Sequence, residues 1–239
     1  MLLSFKDTRV VKCIKRPSSS IKSPYVADVL LNDETIVVHT PALGMGGYVE
    51  KDKLIVIQPI VNPKGQCKYS VVAAYDDMSD AYIGANPLHA NKIFHECCNL
   101  DYFNHIFGKI TKIKTEPKYE NGRFDFQLNE NIMVEVKSTL IKNDNKGIFP
   151  YGKLKNGTIS ERANKHLYHL AELVKQNKQC YIFFIVLRND VDCFSPNTND
   201  KEFLKAFNYA VANGVKPFAF QMKVSIEGIE FCKQLDIII

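Results

Sequence analysis

No run of apolar residues in this chain of 239 approaches the ~20 needed to cross a bilayer. The opening MLLSFKDTRV has no apolar stretch long enough for a secretion signal. These two absences predict a cytoplasmic protein with no membrane partner. Seven cysteines are present, but none forms C-x-x-C, and Cys97-Cys98 has no zinc spacing around it. Reduced, mostly buried thiols are expected. The glycine-rich loop His39 to Gly47 lacks a G-K-[ST] ending and is not a phosphate-binding P-loop. Three glycines in its last four positions free the backbone for a close approach or for a plain turn. There is no internal repeat and no low-complexity tract.

What is present is ordinary for a globular protein, with 46% hydrophobic and 24% charged residues. The net charge of +5 permits an acidic partner such as nucleic acid without requiring one. The length allows one large or two small domains. Residues 8 to 76 read as five short strands: Arg9 to Ile14, Tyr25 to Leu31, Thr35 to Thr40, Lys53 to Ile60 and Lys68 to Ala74. Pro, Gly and Asn/Asp clusters separate them. That spacing suits a small barrel of the oligonucleotide-binding type. Lys12, Lys15, Arg16 and Lys22 form a basic edge, with Tyr25 and Tyr48 as candidate stacking platforms. The same edge could simply be a solvated one that discourages aggregation.

The polar run Asp76 to Asp80 marks the expected boundary, giving a barrel over residues 1–78 and an α/β domain over 79–239. A helix is predicted from Pro87 through Cys98, with Leu88, Ile93 or Asn91, and Cys97 inward and Glu96 along it. A strand at Ile110 to Thr115 follows. Residues 141 to 157 read as a mobile loop. Ser160 caps a helix to about Gln176, with Ala163, Leu167, Leu170 and Val174 as its buried stripe. Arg162, Lys165, His166 and His169 lie on another face, which is either solvated or in contact with phosphate. Gln179 to Leu187 should be a central buried strand. A helix over Lys201 to Asn213, ended by Gly214, leads into a strand over Lys216 to Val224. Helices should cover a mixed sheet.

The stretch that organises the second half is Asn121 to Leu140. Two apolar runs flank Asn129-Glu130-Asn131, as in a hairpin. A turn centred on Glu130 places Phe124, Phe126 and Leu128 opposite Val136, Val134 and Ile132. Alternation puts Asp125, Gln127, Met133, Glu135 and Lys137 on the other face. Asp125 then lies across from Glu135, and two carboxylates so placed repel unless a cation intervenes. A hard divalent metal, Mg2+ or Mn2+, takes oxygen ligands and would serve. A solvated hairpin face would carry the same residue types.

The order of motifs resembles the sugar fermentation stimulation protein A (SfsA) family over nearly the whole chain. The pieces are Tyr25-Val26-Ala27-Asp28-Val29, His39-Thr40-Pro41, Asn86-Pro87-Leu88-His89-Ala90-Asn91, Gly122-Arg123-Phe124-Asp125-Phe126, Val134-Glu135-Val136-Lys137-Ser138, Phe149-Pro150, Glu161-Arg162 with Lys165-His166-Leu167, Phe194-Ser195-Pro196 and Ser225-Ile226-Glu227-Gly228. The resemblance implies an OB-like β-barrel followed by a PD-(D/E)XK nuclease-like α/β domain. It implies a DNA-binding protein with metal-dependent nuclease activity, or a non-catalytic DNA-binding regulator on the same fold. Asp125, Glu135 and Lys137 would be the catalytic set, with Asp125, Glu135 and Glu96 holding the metal. Lys15, Arg16, Lys22, Arg123, Arg162, Lys165 and His166 would contact nucleic acid, DNA in preference to RNA. The oligomeric state is left open, a homodimer included. Three departures from the family pattern stand out. Ala42-Leu43 replaces a polar Asn-Thr pair, Tyr151 stands where an Asp often follows Phe-Pro, and Lys153 to Thr158 reads as an insertion beside Glu161-Arg162-Ala163.

Overall fold

The computed structural model describes residues 1–43, 45–119 and 122–239. Gly44 of the glycine-rich loop and Asn121, the first residue of the organising stretch, lie outside the described residues. The first elements are β1 (Leu3–Ser4), β2 (Arg9–Lys15), β3 (Val26–Leu31), β4 (Glu34–His39), β5 (Leu54–Pro59), β6 (Tyr69–Asp76) and β7 (Ala81–Gly84). After them come α1 (His89–Asn99), α2 (Asn104–Phe107), β8 (Ile113–Thr115), β9 (Lys118–Tyr119), β10 (Gly122–Arg123), β11 (Phe126–Leu128) and β12 (Ile132–Thr139). The remainder is β13 (Ile141–Asn143), β14 (Lys146–Phe149), α3 (Glu161–Lys175), β15 (Gln179–Val186), β16 (Cys193–Pro196), α4 (Lys201–Ala212), β17 (Lys216–Val224) and β18 (Gly228–Ile237).

The five expected N-terminal strands close into a barrel. Antiparallel ladders join β2 to β3, β3 to β4, β5 to β6 and β2 to β5, and a parallel one joins β4 to β6 through Val38–Tyr69 and His39–Ser70. Ring order β2-β3-β4-β6-β5 with one parallel closure is the Greek-key path of an oligonucleotide-binding barrel. Alternation sends Val11 and Cys13 of β2 inward and leaves Val10 and Lys12 out. Gly46 and Gly47 use the positive φ expected of their loop (56° and 89°).

Two compact units emerge, and their bounds differ from a single break after residue 78. One comprises 1–89, 187–190 and 221–232, and the other 90–186, 191–220 and 233–239. The expected boundary falls inside the first unit because β7, just past the acidic run, pairs with β6 from Ala73–Gly84 to Asp76–Ala81. Within that unit Arg188 is fully buried and donates to Asp76 (3.0 Å) and Asp190 (2.6 Å). Strands β17 and β18 each begin in one unit and end in the other.

In the second unit β12 and β15 run parallel, paired from Ile132–Gln179 to Thr139–Val186. The sheet is covered on both faces. Cys180, Ile182, Phe184 and Val186 pack with Leu167 and Leu170 of α3 and Phe203 and Phe207 of α4. Phe183, from the opposite face, meets Phe94 of α1, Phe103, Phe107 and Phe220 at ring separations of 5.0 to 5.5 Å. Ser160 Oγ caps α3 by accepting from Ala163 N, and Asp200 caps α4 by accepting from Phe203 N. Residues 141–149 are not a loop but the hairpin β13–β14, turned at Asp144 with φ 52°. Leu88, expected inward, sits ahead of α1 and is 68% exposed. All seven cysteines are free, and five are buried. Among the described residues no helix is long and apolar enough to cross a membrane.

Candidate functional site

Strands β11 and β12 pair in the expected register, Phe126–Val134, Gln127–Met133 and Leu128–Ile132. The ladder stops at Phe126, because the chain bends at Asp125. The Asp125 side chain then takes over the strand's role, its Oδ2 accepting the Val136 N–H at 2.8 Å. Its Oδ1 accepts from Asn91 Nδ2 of α1, also at 2.8 Å. The bend has a second effect. Phe124 does not share a face with Phe126 but packs in the cluster beneath α3, against the alternation expected of an unbroken strand.

Glu135 is 2% exposed. Its Oε1 accepts from Lys137 Nζ at 2.5 Å and from Nδ1–H of His166, which α3 carries over the strand. Its Oε2 is buried with no hydrogen-bond partner. The two carboxyl groups titrate in opposite directions. Burial pushes Asp125 up and the Glu135 charge adds to it, and together they outweigh the opposing Val136 N–H, Asn91 and Lys137. Burial also works against the Glu135 anion, but Lys137 first and then His166 outweigh it and hold that carboxyl low. At neutral pH Glu135 is therefore the well-compensated anion of the pair and Asp125 the costly one.

Beside His166 is a cleft of about 540 Å³, lined by Lys118, Gly122, Arg123, Arg162 and His166. Arg162 lies in the first turn of α3, where the helix dipole adds positive potential. Arg123 shares part of its charge with the exposed Glu116, at 3.5 Å. The cleft and Glu135 meet at His166, which lines the one and contacts the other.

The other expected residues are placed differently. Glu96 does not join the carboxylates; it accepts from Asn99 at 3.5 Å. Five residues along a helix is a rotation of about 140°, so with Asn91 turned to Asp125, Glu96 faces elsewhere. Among the described residues no group of three or more His, Cys, Asp or Glu side chains gathers as a metal site. Lys165 is exposed on α3 and does not line the cleft. In the barrel unit Lys15 and Lys22 are exposed. Arg16 instead fastens the chain, donating from Nε to Pro24 O (2.9 Å) and from Nη2 to Ala42 O (2.5 Å). Tyr48 is not an open stacking platform, since Arg188 lies 5.5 Å from its ring centroid.

Two partners were not read from the sequence as parts of the carboxylate site, Asn91 at Asp125 and His166 at Glu135. A signal existed for His166. It adjoins Leu167 and follows Ala163 by three positions, at the margin of the buried stripe of α3, rather than on its outer face.

The donor set suits a hard divalent cation. It offers a carboxylate at the bend before β11 and another on β12, the latter with a buried oxygen lacking any partner.

Comparisons with known proteins bear on the same segments. The family model described as the sugar fermentation stimulation protein RE domain matches residues 88–228, more than half of the chain. A sugar fermentation stimulation protein homolog from Clostridium novyi is 28% identical, over 99% of this chain and 100% of its own. One from Clostridium perfringens is 30% identical, over 90% and 92%. Among solved structures, Pyrococcus furiosus SfsA in complex with Ca2+ superposes with a TM-score of 0.83 at 18% identity, over 100% of this chain and 99% of that one.

Proposed function

The chain belongs to the sugar fermentation stimulation protein family, and from that premise we propose that it is a DNA-binding protein with metal-dependent phosphodiester-hydrolysing activity at the Asp125–Glu135 pair. The observation that carries this reading is the buried, partnerless Oε2 of Glu135, close enough to Asp125 to raise its pKa, beside a cationic cleft. Asp125 and Glu135 would hold Mg2+ or Mn2+. Bound there, such an ion supplies Lewis-acid polarisation of a phosphate ester and a water of lowered pKa. That the Pyrococcus furiosus protein was solved with Ca2+ is in keeping with a divalent ion on this fold.

The chain's own residues supply the rest. Arg123, Arg162 and Lys118 attract and orient backbone phosphates without reading sequence. Lys137, 14% exposed, stabilises negative charge developing on the phosphate. His166 keeps Glu135 oriented through its Nδ1 contact. The PD-(D/E)XK relationship implied by the motif order belongs to this proposal.

A second reading, a non-catalytic DNA-binding regulator, is favoured by one observation. Lys137 and His166 already compensate Glu135 within the protein, so that carboxylate needs no metal to hold its charge. Incubating pure protein with single- and double-stranded DNA and RNA, in Mg2+, Mn2+ or chelator, separates the two. Cleavage that needs the metal and disappears in Lys137→Ala supports the enzyme. Salt-sensitive DNA binding with no cleavage under any condition leaves the regulator.

A further inference from the structure

A second cavity, of about 650 Å³, lies in the α/β unit away from the carboxylates. We infer that it is a binding site for a small phosphate-bearing molecule with an apolar ring, of which a nucleoside monophosphate is the simplest example. Its volume falls within the range of small-molecule sites, roughly 300–1,000 Å³. Three lysines line it, Lys142 and Lys146 from the β13–β14 hairpin and Lys153 from the segment after it, and no described aspartate or glutamate side chain does. Lys146 and Lys153 have no ionic side-chain partner among the described residues, so their charge is available to an anion. Lining side chains whose only formal charges are positive concentrate positive potential in a concave wall, and lysine acts on phosphate as a mobile point charge.

The rest of the lining suits a ring rather than a bare ion. Tyr151, Ile148 and Leu154 supply an aromatic face and aliphatic walls. The wall that continues β16 past Pro196, beside the hairpin, is held before any ligand arrives. Asn197 is 9% exposed and donates from Nδ2 to Pro150 O (2.9 Å), its backbone N–H donates to Phe149 O (2.8 Å), and its Oδ1 accepts from Asn199 N (3.1 Å). A prebuilt wall lowers the ordering cost of binding. The segment Lys153 to Thr158 contributes one lysine and Leu154 to this cavity.

Isothermal titration of the full-length protein with adenosine monophosphate, adenosine and inorganic phosphate, without divalent ions, tests the inference. Saturable binding of the monophosphate is expected, at least tenfold tighter than adenosine or phosphate alone. The double variant Lys146→Glu/Lys153→Glu should lose it by tenfold or more while keeping the parent's melting temperature, since both side chains are exposed. Arg162→Glu, which alters the other cleft, should bind as the parent does. No saturable binding to the parent, equal binding of adenosine, or loss in Arg162→Glu rather than in the lysine pair overturns the inference. None of these results depends on DNA cleavage, so the cavity and the carboxylate site stand or fall separately.

Discussion

Replacing each carboxylate by its amide should move stability in opposite directions. In Asp125→Asn the costly charge disappears. The new amide can accept Val136 N–H with its oxygen and donate to Asn91, whose own amide needs only to turn over. A buried charge is lost without orphaning a partner, so the metal-free protein should gain up to about 1 kcal/mol. In Glu135→Gln the anion that compensates Lys137 and His166 disappears. Breaking a buried pair from one side costs about 3 kcal/mol. Relief of the Asp125 repulsion offsets about 1 kcal/mol of that, leaving a loss of about 2 kcal/mol. For a chain of this size each kcal/mol moves the melting temperature by roughly 2–4 °C. The two variants should therefore bracket the parent in thermal scans run in chelator at pH 7. The pH dependence carries the same signs. Asp125, raised on folding, favours the fold when protonated, and that benefit is lost as pH climbs through its folded pKa. Glu135, lowered on folding, contributes above its unfolded pKa of ~4.3, and the contribution is lost as pH falls through the folded value. Equal destabilisation by both substitutions, or no effect of either, would falsify the asymmetric compensation described here.

Other outcomes follow from particular contacts. Calorimetric titration of Mn2+ should show binding to the parent weakened at least tenfold in both amide variants and unchanged in Glu96→Gln; equal loss in Glu96→Gln would return that residue to the site. Charge reversal at Arg123 and Arg162 should weaken DNA binding for all sequences alike and flatten the salt slope by roughly one unit per cation removed; a variant that keeps the parent's slope would place the DNA elsewhere. Asn91→Ala leaves the buried Asp125 carboxylate one donor short and should cost about 1–2 kcal/mol in urea unfolding; a neutral result would mean water replaces it fully. Gly228→Ala should be among the most damaging single changes, because a Cβ would stand 2.1 Å from Leu3 O at φ 152°; an unshifted melting temperature would contradict the packing of Leu3–Ser4 against this turn.

The barrel was legible because each strand is short, alternates, and is bounded by residues that break extended structure. The hairpin register was legible for the same reason, from Phe126–Val134 to Leu128–Ile132. Three things were not. The β13–β14 hairpin hides in a Lys- and Asn-rich stretch whose turn rests on one positive φ at Asp144, which composition does not single out. The bend at Asp125 moves Phe124 to the opposite face, an event no alternation rule anticipates. The compensation of Glu135 by His166 depends on where α3 crosses the sheet, and only tertiary packing fixes that. Glu96 was assigned from a family habit of supplying an acid from this helix, while the helix turn itself presents Asn91.

The division of the chain between its units bears on the order in which the protein can be made. The N-terminal unit holds the first 89 residues, but it also needs Leu187–Asp190, with the arginine that neutralises Asp76, and Gln221–Cys232, with the turn against which Leu3 and Ser4 pair. A ribosome cannot release those last pieces until translation has passed residue 232. The barrel strands can collapse early through local hairpins, yet Asp76 must wait some 110 residues for its counter-charge, roughly 6–22 s at 5–20 residues per second. The first unit to begin folding is thus among the last to finish, and a nascent chain stalled before residue 232 would carry an incomplete N-terminal unit rather than a finished one.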